Sequence, residues 1–452
     1  MRDLMFAMMM LVAIPLAIAR PFNAYLFWAW TAVVIPTSYF FGFLVNARLN
    51  FLFAILTLLL IALGRVPLKS YQANRVTWLY LLFLFHATLV YFLAYPGNPY
   101  NGEYYELFLK GLLFSLAMPF FVRERVHMHA LIIVIVLGFG LHGVLNGLKT
   151  LASAGGHNVV GPAGTMIADR NHLSAALALA LPLLYYLFTQ STHRLIRLGF
   201  LGGFVLVALA IVGSGSRGGF IALAVVSAWL VMTSRKRWRA LALLAIMALL
   251  FVNLAPQEWF NRLSTIEEAG ADASFMGRVI AWQISSAIAL NNPVFGGGFH
   301  AVQVQAIWDQ FVGAPSLLGF LNLPLPTFNA KAAHSIYFEV LGDMGFVGLF
   351  IFLGILFHAI RTRYVIKRQL STMGKQWLWA RDMADMLMLA VIAYMAGGAA
   401  VSLAYFEVIY MVVMLMEMLR LHVASAVLAV EKERKAQKIQ LAFEARARRG
   451  LT

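Results

Sequence analysis

The sequence predicts an all-α polytopic membrane protein with about 12 (12–13) transmembrane helices and one large loop region on the outer side. Three observations carry that reading. Of the 452 residues, 62% are hydrophobic and 12% charged, against about 45–50% and about 25% in soluble domains. Apolar runs recur along the whole chain, and a membrane span needs roughly 20 such residues. The net charge of +16 sits mostly in short loops and the C-terminal tail. That placement marks topology and argues against a nucleic-acid partner. The chain has no cysteine, which excludes disulfides and thiolate metal sites.

Apolar segments predict helices at 4–19, 23–44, 49–64, 77–94, 105–121, 127–147, 172–188, 196–213, 218–233, 240–254, 335–359, 383–402 and 404–421, of which twelve are expected to span. The first has a weakly basic front at Arg2 and no small-residue cleavage motif, so it reads as a retained helix. Basic residues then fix the sides. Arg123-Glu124-Arg125, His193-Arg194 with Arg197, Arg235-Lys236-Arg237 with Arg239, the Arg361–Arg381 loop and the tail from Glu431 are assigned to the cytoplasm. Alternation leaves the 148–171 loop, the Gly213–Gly219 turn and the 255–333 segment outside, while thirteen spans would put the N-terminus outside and twelve inside. The expected organisation is N-terminal transmembrane helices (1–254), an outer loop domain (255–333), C-terminal transmembrane helices (334–424) and a basic cytoplasmic tail (425–452).

The 255–333 segment is too long for a plain connection and is expected to be functional or disordered. Trp259, Phe275, Trp282, Phe299, Trp308 and Phe311 argue for order against the membrane face. Asn261–Ala271 is polar, Gly277–Leu290 has the pattern of an amphipathic helix, Gly296-Gly297-Gly298 breaks the chain, and Pro324 and Pro326 punctuate the return. The tail reads as a basic helix on the cytoplasmic surface, drawn there by anionic lipid or serving as a solvated topology anchor. No internal repeat stands out.

Polar residues at the outer ends of the helices are the candidates for chemistry. Arg217 lies in Val212-Gly213-Ser214-Gly215-Ser216-Arg217-Gly218-Gly219-Phe220, where glycines permit close backbone approach and a helix N-terminus follows. It reads as a phosphate ligand, through the bidentate guanidinium, or as an arginine snorkelling to the interface. Arg278 is one of three basic residues in a net acidic segment, with Arg262 and Lys331. It is a second anion ligand or the partner of Asp272 or Glu268. His334 opens a long apolar run with Ser335 and Tyr337, and suits a general base near neutral pH or a structural role. Gly342, Gly345 and Gly348 beyond it allow close helix packing, and Glu339 and Asp343 lie within the same apolar run. Asp169-Arg170-Asn171-His172 supplies either an N-cap or two more groups, Arg170 and His172, for the outer site.

The outer loops hold no Asp-x-Asp pair, and there is no His-Glu-x-x-His or P-loop. No metal or other cofactor is expected, and a leaving group would bring its own activation, as a lipid diphosphate does.

These residues resemble the O-antigen ligase and polymerase superfamily. The resemblance rests on Gly213–Gly219 with Arg217, Met276-Gly277-Arg278, Asn292-Pro293 through Gly296-Gly297-Gly298-Phe299, and Ala333-His334-Ser335-Ile336-Tyr337-Phe338-Glu339-Val340-Leu341-Gly342 with Gly345. Gly161-Pro162-Ala163-Gly164-Thr165 to Asn171-His172, ahead of Leu181-Pro182, is similar to the family's stretch before a middle helix. The likeness covers roughly residues 155–360. The opening, Met1-Arg2-Asp3-Leu4 with Ala19-Arg20-Pro21, is similar to the exosortase-associated putative O-glycosylation ligase branch.

The resemblance implies a GT-C-like glycosyltransferase of the bacterial inner membrane, multi-pass, with its site on the periplasmic face. It implies an undecaprenyl-diphosphate-linked glycan as donor and lipid A–core as acceptor in lipopolysaccharide biosynthesis. Another repeat unit or a protein hydroxyl are the alternatives, making the chain a polymerase or an O-oligosaccharyltransferase. It carries Arg217, Arg278 and His334 over as catalytic positions, with Arg170, His172 and Tyr337 beside them for substrate. A lipid-linked glycan transporter is the reading from a different class, disfavoured because the polar set clusters at one face rather than at midplane.

Overall fold

The computed structural model describes residues 2–234, 273–321 and 329–449, with single positions between 238 and 249. Among these every regular element is helical, so the chain is an α-helical polytopic membrane protein. In order they are α1 (Arg2–Ala19), α2 (Pro21–Val34), α3 (Leu49–Ala62), α4 (Arg75–Leu93), α5 (Asn101–Phe121), α6 (Arg125–Ala152), α7 (Arg170–Gln190), α8 (Arg194–Gly213), α9 (Arg217–Thr233), α10 (Ala273–Asn291), α11 (Gln305–Phe311), α12 (Ile336–Leu370), α13 (Leu378–Gly398) and α14 (Glu407–Arg449). Seven are long and apolar enough to cross a membrane: α1, α4, α6, α7, α8, α12 and α14. The shorter apolar α3 and α9 accompany them. Most of the helix expected at 240–254, the basic Arg235-Lys236-Arg237 and Arg239, the polar stretch Asn261–Ala271, and Pro324 and Pro326 lie outside the described residues.

Three of the described helices, α4, α7 and α9, begin with a side-chain cap. Asn74 accepts from Thr77 N at 3.0 Å, Asp169 from Asn171 N at 2.7 Å and Ser216 from Gly219 N at 3.2 Å. Each satisfies a backbone donor that the first turn leaves open, typically worth about 1 kcal/mol. The helix expected over 23–44 stops at Val34. Pro36 disfavours α conformation in the residue before it, and Ile35 turns left-handed with φ 51°. The last span and the tail, expected as separate helices, run as one: α14 is 43 residues, about 65 Å at 1.5 Å per residue. That is twice the roughly 30 Å hydrocarbon core, so the basic tail continues the span beyond it.

Lipid tails are as apolar as leucine, so packing between spans rests on close fit rather than on escape from water. Gly143 and Gly147, four apart on α6, meet Val207 and Leu206 of α8 with no room for a side chain. At the centre, α7 packs along α8 and α13 and is buried over nearly its whole length. The described part of 255–333 builds a second small core, in which Ile280, Ile284 and Ile288 of α10 surround Trp308 and Phe311 of α11. That core takes in Trp282, Trp308 and Phe311, while Phe299 packs into the main core, Phe275 is exposed and Trp259 lies outside the described residues.

α12 is two helices joined at Gly345, whose backbone (φ 67°, ψ −169°) is not helical. The 292–298 loop fills the break. Gly297 N donates to Gly342 O at 2.9 Å, Gly298 N to Asp343 O at 3.0 Å, and Phe346 N to Pro293 O at 2.8 Å. His86 Nε2 lies 3.0 Å from the carbonyl oxygen of Met344. Non-helical backbone inside a membrane bundle survives only where protein supplies such partners. Gly342 does approach α10, at Ser285, as its spacing suggested, whereas Gly345 packs against the Pro293 carbonyl of the loop.

Contacts sort the connections to two ends. Tyr39 OH meets His142 Nδ1 at 2.8 Å, and Asp3 accepts from Gly42 N and Leu44 N at 3.1 Å each. The start of the chain therefore shares an end with the 153–169 loop after α6. The 94–100 turn joins it through the 292–304 loop, since Asn98 Nδ2 donates to Phe299 O at 2.8 Å. At the opposite end Arg123 bonds Ser70 O, His422 Nδ1 lies 2.9 Å from Arg123 O, and Arg363 pairs with Asp385 at 2.6 Å. The arginine-rich connections, Arg123 to Arg125 and Arg361 to Arg381, gather there. The two are called the site end and the basic end below.

Candidate active site

The site end is organised around the connection between α13 and α14. Ser402, in that connection, takes the backbone N–H of His334 on its Oγ at 2.9 Å, and its carbonyl lies 2.8 Å from His172 Nε2. One serine thus joins the segment before α12 to the first turn of α7. Asp169 approaches the other ring nitrogen of His172 at 3.3 Å while capping α7. Its hydrogen bond to His172 holds the Asp169 carboxyl well below the usual carboxylate range, against burial.

His334 is not part of α12. It adopts a left-handed backbone, φ 45°, uncommon for a residue with a side chain and costing on the order of 1–3 kcal/mol. The two flanking contacts, Ser402 on its N–H and Trp282 Nε1 donating to Ala333 O at 2.6 Å, hold the turn. Its Nδ1 is buried without a hydrogen-bond partner. Burial, then the Arg278 charge, then His172, push the imidazole down to about 4. The ring is therefore neutral at physiological pH and retains a lone pair.

Arg278 reaches this point because α10 lies along 331–342. Trp282 stacks on Phe338 with centroids 5.1 Å apart, Ser285 abuts Gly342, and a Cβ on Gly277 would stand 3.0 Å from Lys331 Nζ. Arg278 is close enough to His334 to depress its basicity, and Lys331 adds a second cation on that wall. The acidic partners considered for Arg278, Glu268 and Asp272, lie outside the described residues.

Arg217 is the first residue of α9. A Cβ on the adjacent Gly218 would stand 2.9 Å from the Gly397 carbonyl oxygen, and one on Gly398 2.6 Å from Ile336, two residues beyond His334. The glycine pair ending α13 is thus flanked on one side by the Arg217 turn and on the other by the His334 turn. Three segments from distant parts of the sequence converge, with Arg217, Arg278 and His334 at one end of the bundle. Arg170 begins α7 beside this cluster and is half-buried. Tyr337 donates its hydroxyl to Met395 O at 2.9 Å, which ties α12 to α13.

Sequence reasoning did not find Ser402 or His300. His300 Nε2 lies 3.0 Å from Glu339 Oε1, both buried, and Glu339 Oε2 accepts from Ala404 N at 2.9 Å. Burial opposes a charge on His300, and Glu339 overcomes it, so His300 is held above its ordinary range. Asp343, one turn below, accepts from Tyr405 OH at 2.8 Å. These carboxylates fasten the first half of α12 to the 399–406 connection that Ser402 belongs to. No local signal in the sequence marks Ser402 or His300; a carboxylate in an apolar run, as at Glu339, is the one clue that a distant partner exists.

Residues 202–353 match the family model described as O-antigen ligase, a span that includes Arg217, Arg278 and His334. Residues 1–192 match a model described as a family of unknown function (DUF5935). No curated protein matches the chain.

Proposed function

We propose, for a chain that belongs through residues 202–353 to the O-antigen ligase superfamily, that it transfers O-antigen glycan from undecaprenyl diphosphate to lipid A–core. Membership in that family supports a membrane glycosyltransferase-like ligase or polymerase activity. The site end then faces the periplasm of a bacterial inner membrane and the basic end the cytoplasm, a reading supported by the gathering of basic loops at one end.

One observation carries the reading: a half-buried, neutral His334 stands beside Arg278 and across the α13 terminus from Arg217. The acceptor hydroxyl gives its proton to the imidazole nitrogen of His334 as its oxygen attacks the anomeric carbon. The bond from that carbon to the diphosphate oxygen breaks, and the electron pair leaves with undecaprenyl diphosphate. Arg217 and Arg278 bind the diphosphate and stabilise the charge that develops on it. A single displacement inverts the anomeric carbon. Arg170 and His172 border the same anion, and Tyr337 positions α12.

The test is transfer by the purified chain from lipid-linked glycan to lipid A–core in the presence of EDTA. A new glycosidic bond of inverted configuration is expected at an undiminished rate, since the diphosphate leaves without metal assistance. Loss of activity on chelation, restored by magnesium, or a retained configuration would sink the mechanism. Movement of the lipid-linked glycan across vesicles with no new bond would make the chain a transporter.

A further inference from the structure

A cavity of about 490 Å³ lies at the same end of the bundle, beneath the 164–168 loop and against the start of α14. Such volumes are typical of small-ligand sites. Its polar lining comes from Glu103 and Tyr104 of α5, Thr165 of the loop and Glu407 of α14, and its apolar walls include Phe139 and Phe406. Among the described residues no arginine, lysine or histidine lines it. Glu407 is half-buried there, and no described side chain donates to its carboxylate. The helix dipole favours an acid in a first turn, which accounts for its place on α14 but not for the cavity in front of it.

The signs of charge separate this cavity from the arginine site. Arg217, Arg278 and Lys331 attract a diphosphate; two carboxylates repel one. Carboxylates instead accept hydroxyl hydrogens, and each has room for more than one. Aromatic side chains present apolar faces that fit the C–H face of a sugar ring. Tyr104 is held rigid for this by His300, stacked on it at 3.5 Å between centroids. Through His300 and Glu339 it connects to the outer turn of α12, five residues from His334. Ser402, the hub of the catalytic cluster, is four residues from Phe406 in the cavity wall.

We propose that this cavity is a saccharide subsite for uncharged sugars of the acceptor glycan, with Glu407 and Glu103 accepting from its hydroxyls and Tyr104 bordering a ring face. The proposal rests on the glycan-transfer reading above and adds where the acceptor is held. A donor glycan is anchored by its diphosphate among the arginines, so the nucleophile needs a second pocket, and one without phosphate-binding cations.

The experiment uses the full-length purified protein in lipid nanodiscs, comparing wild type with Glu407→Gln and with Thr165→Val. Glu407→Gln removes the charge and keeps the shape. Its acceptor KM should rise about tenfold, the scale of one charge-assisted hydrogen bond, with donor KM unchanged; Thr165→Val should raise acceptor KM a few-fold. Saturation-transfer NMR with dephosphorylated core oligosaccharide should show contact in wild type and its loss in Glu407→Gln. Unchanged acceptor KM and unchanged probe binding, or a rise in donor KM in their place, overturns the proposal. If Glu407→Gln does not fold, Thr165→Val on the loop decides by the same readouts. A wild type that binds the probe through Glu407 yet forms no glycosidic bond supports the subsite and removes the transferase reading. Normal transfer with an indifferent cavity does the reverse.

Discussion

The two ends of this bundle use polar residues in different ways. At the basic end, charged side chains pair mostly with other side chains, beside main-chain contacts at Ser70 and Arg123. Arg363 and Lys367 share Asp385 at 2.6 and 3.6 Å, Arg420 pairs with Glu417 at 2.7 Å, and Arg125 lies 4.8 Å over the Trp379 ring. At the site end the backbone carries the geometry. The left-handed non-glycine residues among the described positions, Ile35, Ala154, His300 and His334, all fall there, and the key contacts run from side chain to main chain. The first arrangement needs only charge of the right sign on the right side of a membrane. The second needs particular residues at particular atoms. Substitutions should therefore be tolerated at one end and costly at the other.

The strongest break of that contrast is His334→Ala set against Arg361→Gln. General-base catalysis typically contributes about 10²–10⁴-fold, so His334→Ala should lose that much turnover while still binding lipid-linked donor. Arg361 is exposed at the basic end, and an isolated surface change is usually within about 0.5 kcal/mol of neutral. Arg361→Gln should leave turnover unchanged. Equal turnover of the two variants would remove His334 from the chemistry.

Next in size is Arg217→Lys. The charge is kept and the planar fork lost, and removal of one transition-state donor costs about 10²–10³ in kcat. A loss of roughly 10²-fold is expected, with normal insertion and thermal stability. Near-normal transfer would demote Arg217 to an interfacial anchor.

A stability contrast sharpens the comparison within a single helix. Gly345 occupies a conformation open essentially to glycine alone, and a Cβ there would stand 2.5 Å from Pro293 O. Gly345→Ala should cost at least about 1–3 kcal/mol, read as a lower unfolding midpoint. Gly354, nine residues on, has nothing within 4 Å of its would-be Cβ. Gly354→Ala should be neutral or stabilising by up to about 1 kcal/mol.

These residues also mark how far the sequence could be read. Helix positions were legible because an apolar run must be buried in lipid or protein whatever its neighbours do; α7, expected over 172–188, is observed over Arg170–Gln190. The end of α2 was misjudged by ten residues because Pro36 sits in an apolar run that looks continuous. The spacing of Gly342, Gly345 and Gly348 was visible, but that of the three only Gly345 breaks α12 depends on the 292–298 loop, about fifty residues earlier. Arg217, Arg278 and His334 stood out as polar groups at outer helix ends. Ser402 did not, because its importance comes from two partners, His172 and the His334 backbone, that only the packing of α7 and α12 against the same connection brings to it.

The smallest effect, and the most specific, concerns pH. In the proposed mechanism His334 acts as a base only when neutral, so the rate should fall as pH drops through its pKa. Burial and Arg278 hold that value at about 4 in the free protein, well under the ordinary 6.5 or so. The acid limb of kcat/KM, which reports the free enzyme, should therefore be displaced far below the usual histidine range. Arg278→Gln removes the second of its causes, so its limb should move to higher pH, yet stop short of the ordinary value because burial, the largest cause, remains. Bound donor acts in the same direction. Its diphosphate offsets the Arg278 charge, so His334 should be more basic in the complex, and the acid limb of kcat should lie at higher pH than that of kcat/KM. The histidine would then gain proton affinity only when a donor is in place. Coincident limbs in the wild type, or an Arg278→Gln limb that moves to lower pH, would break the electrostatic link between the arginine and the base.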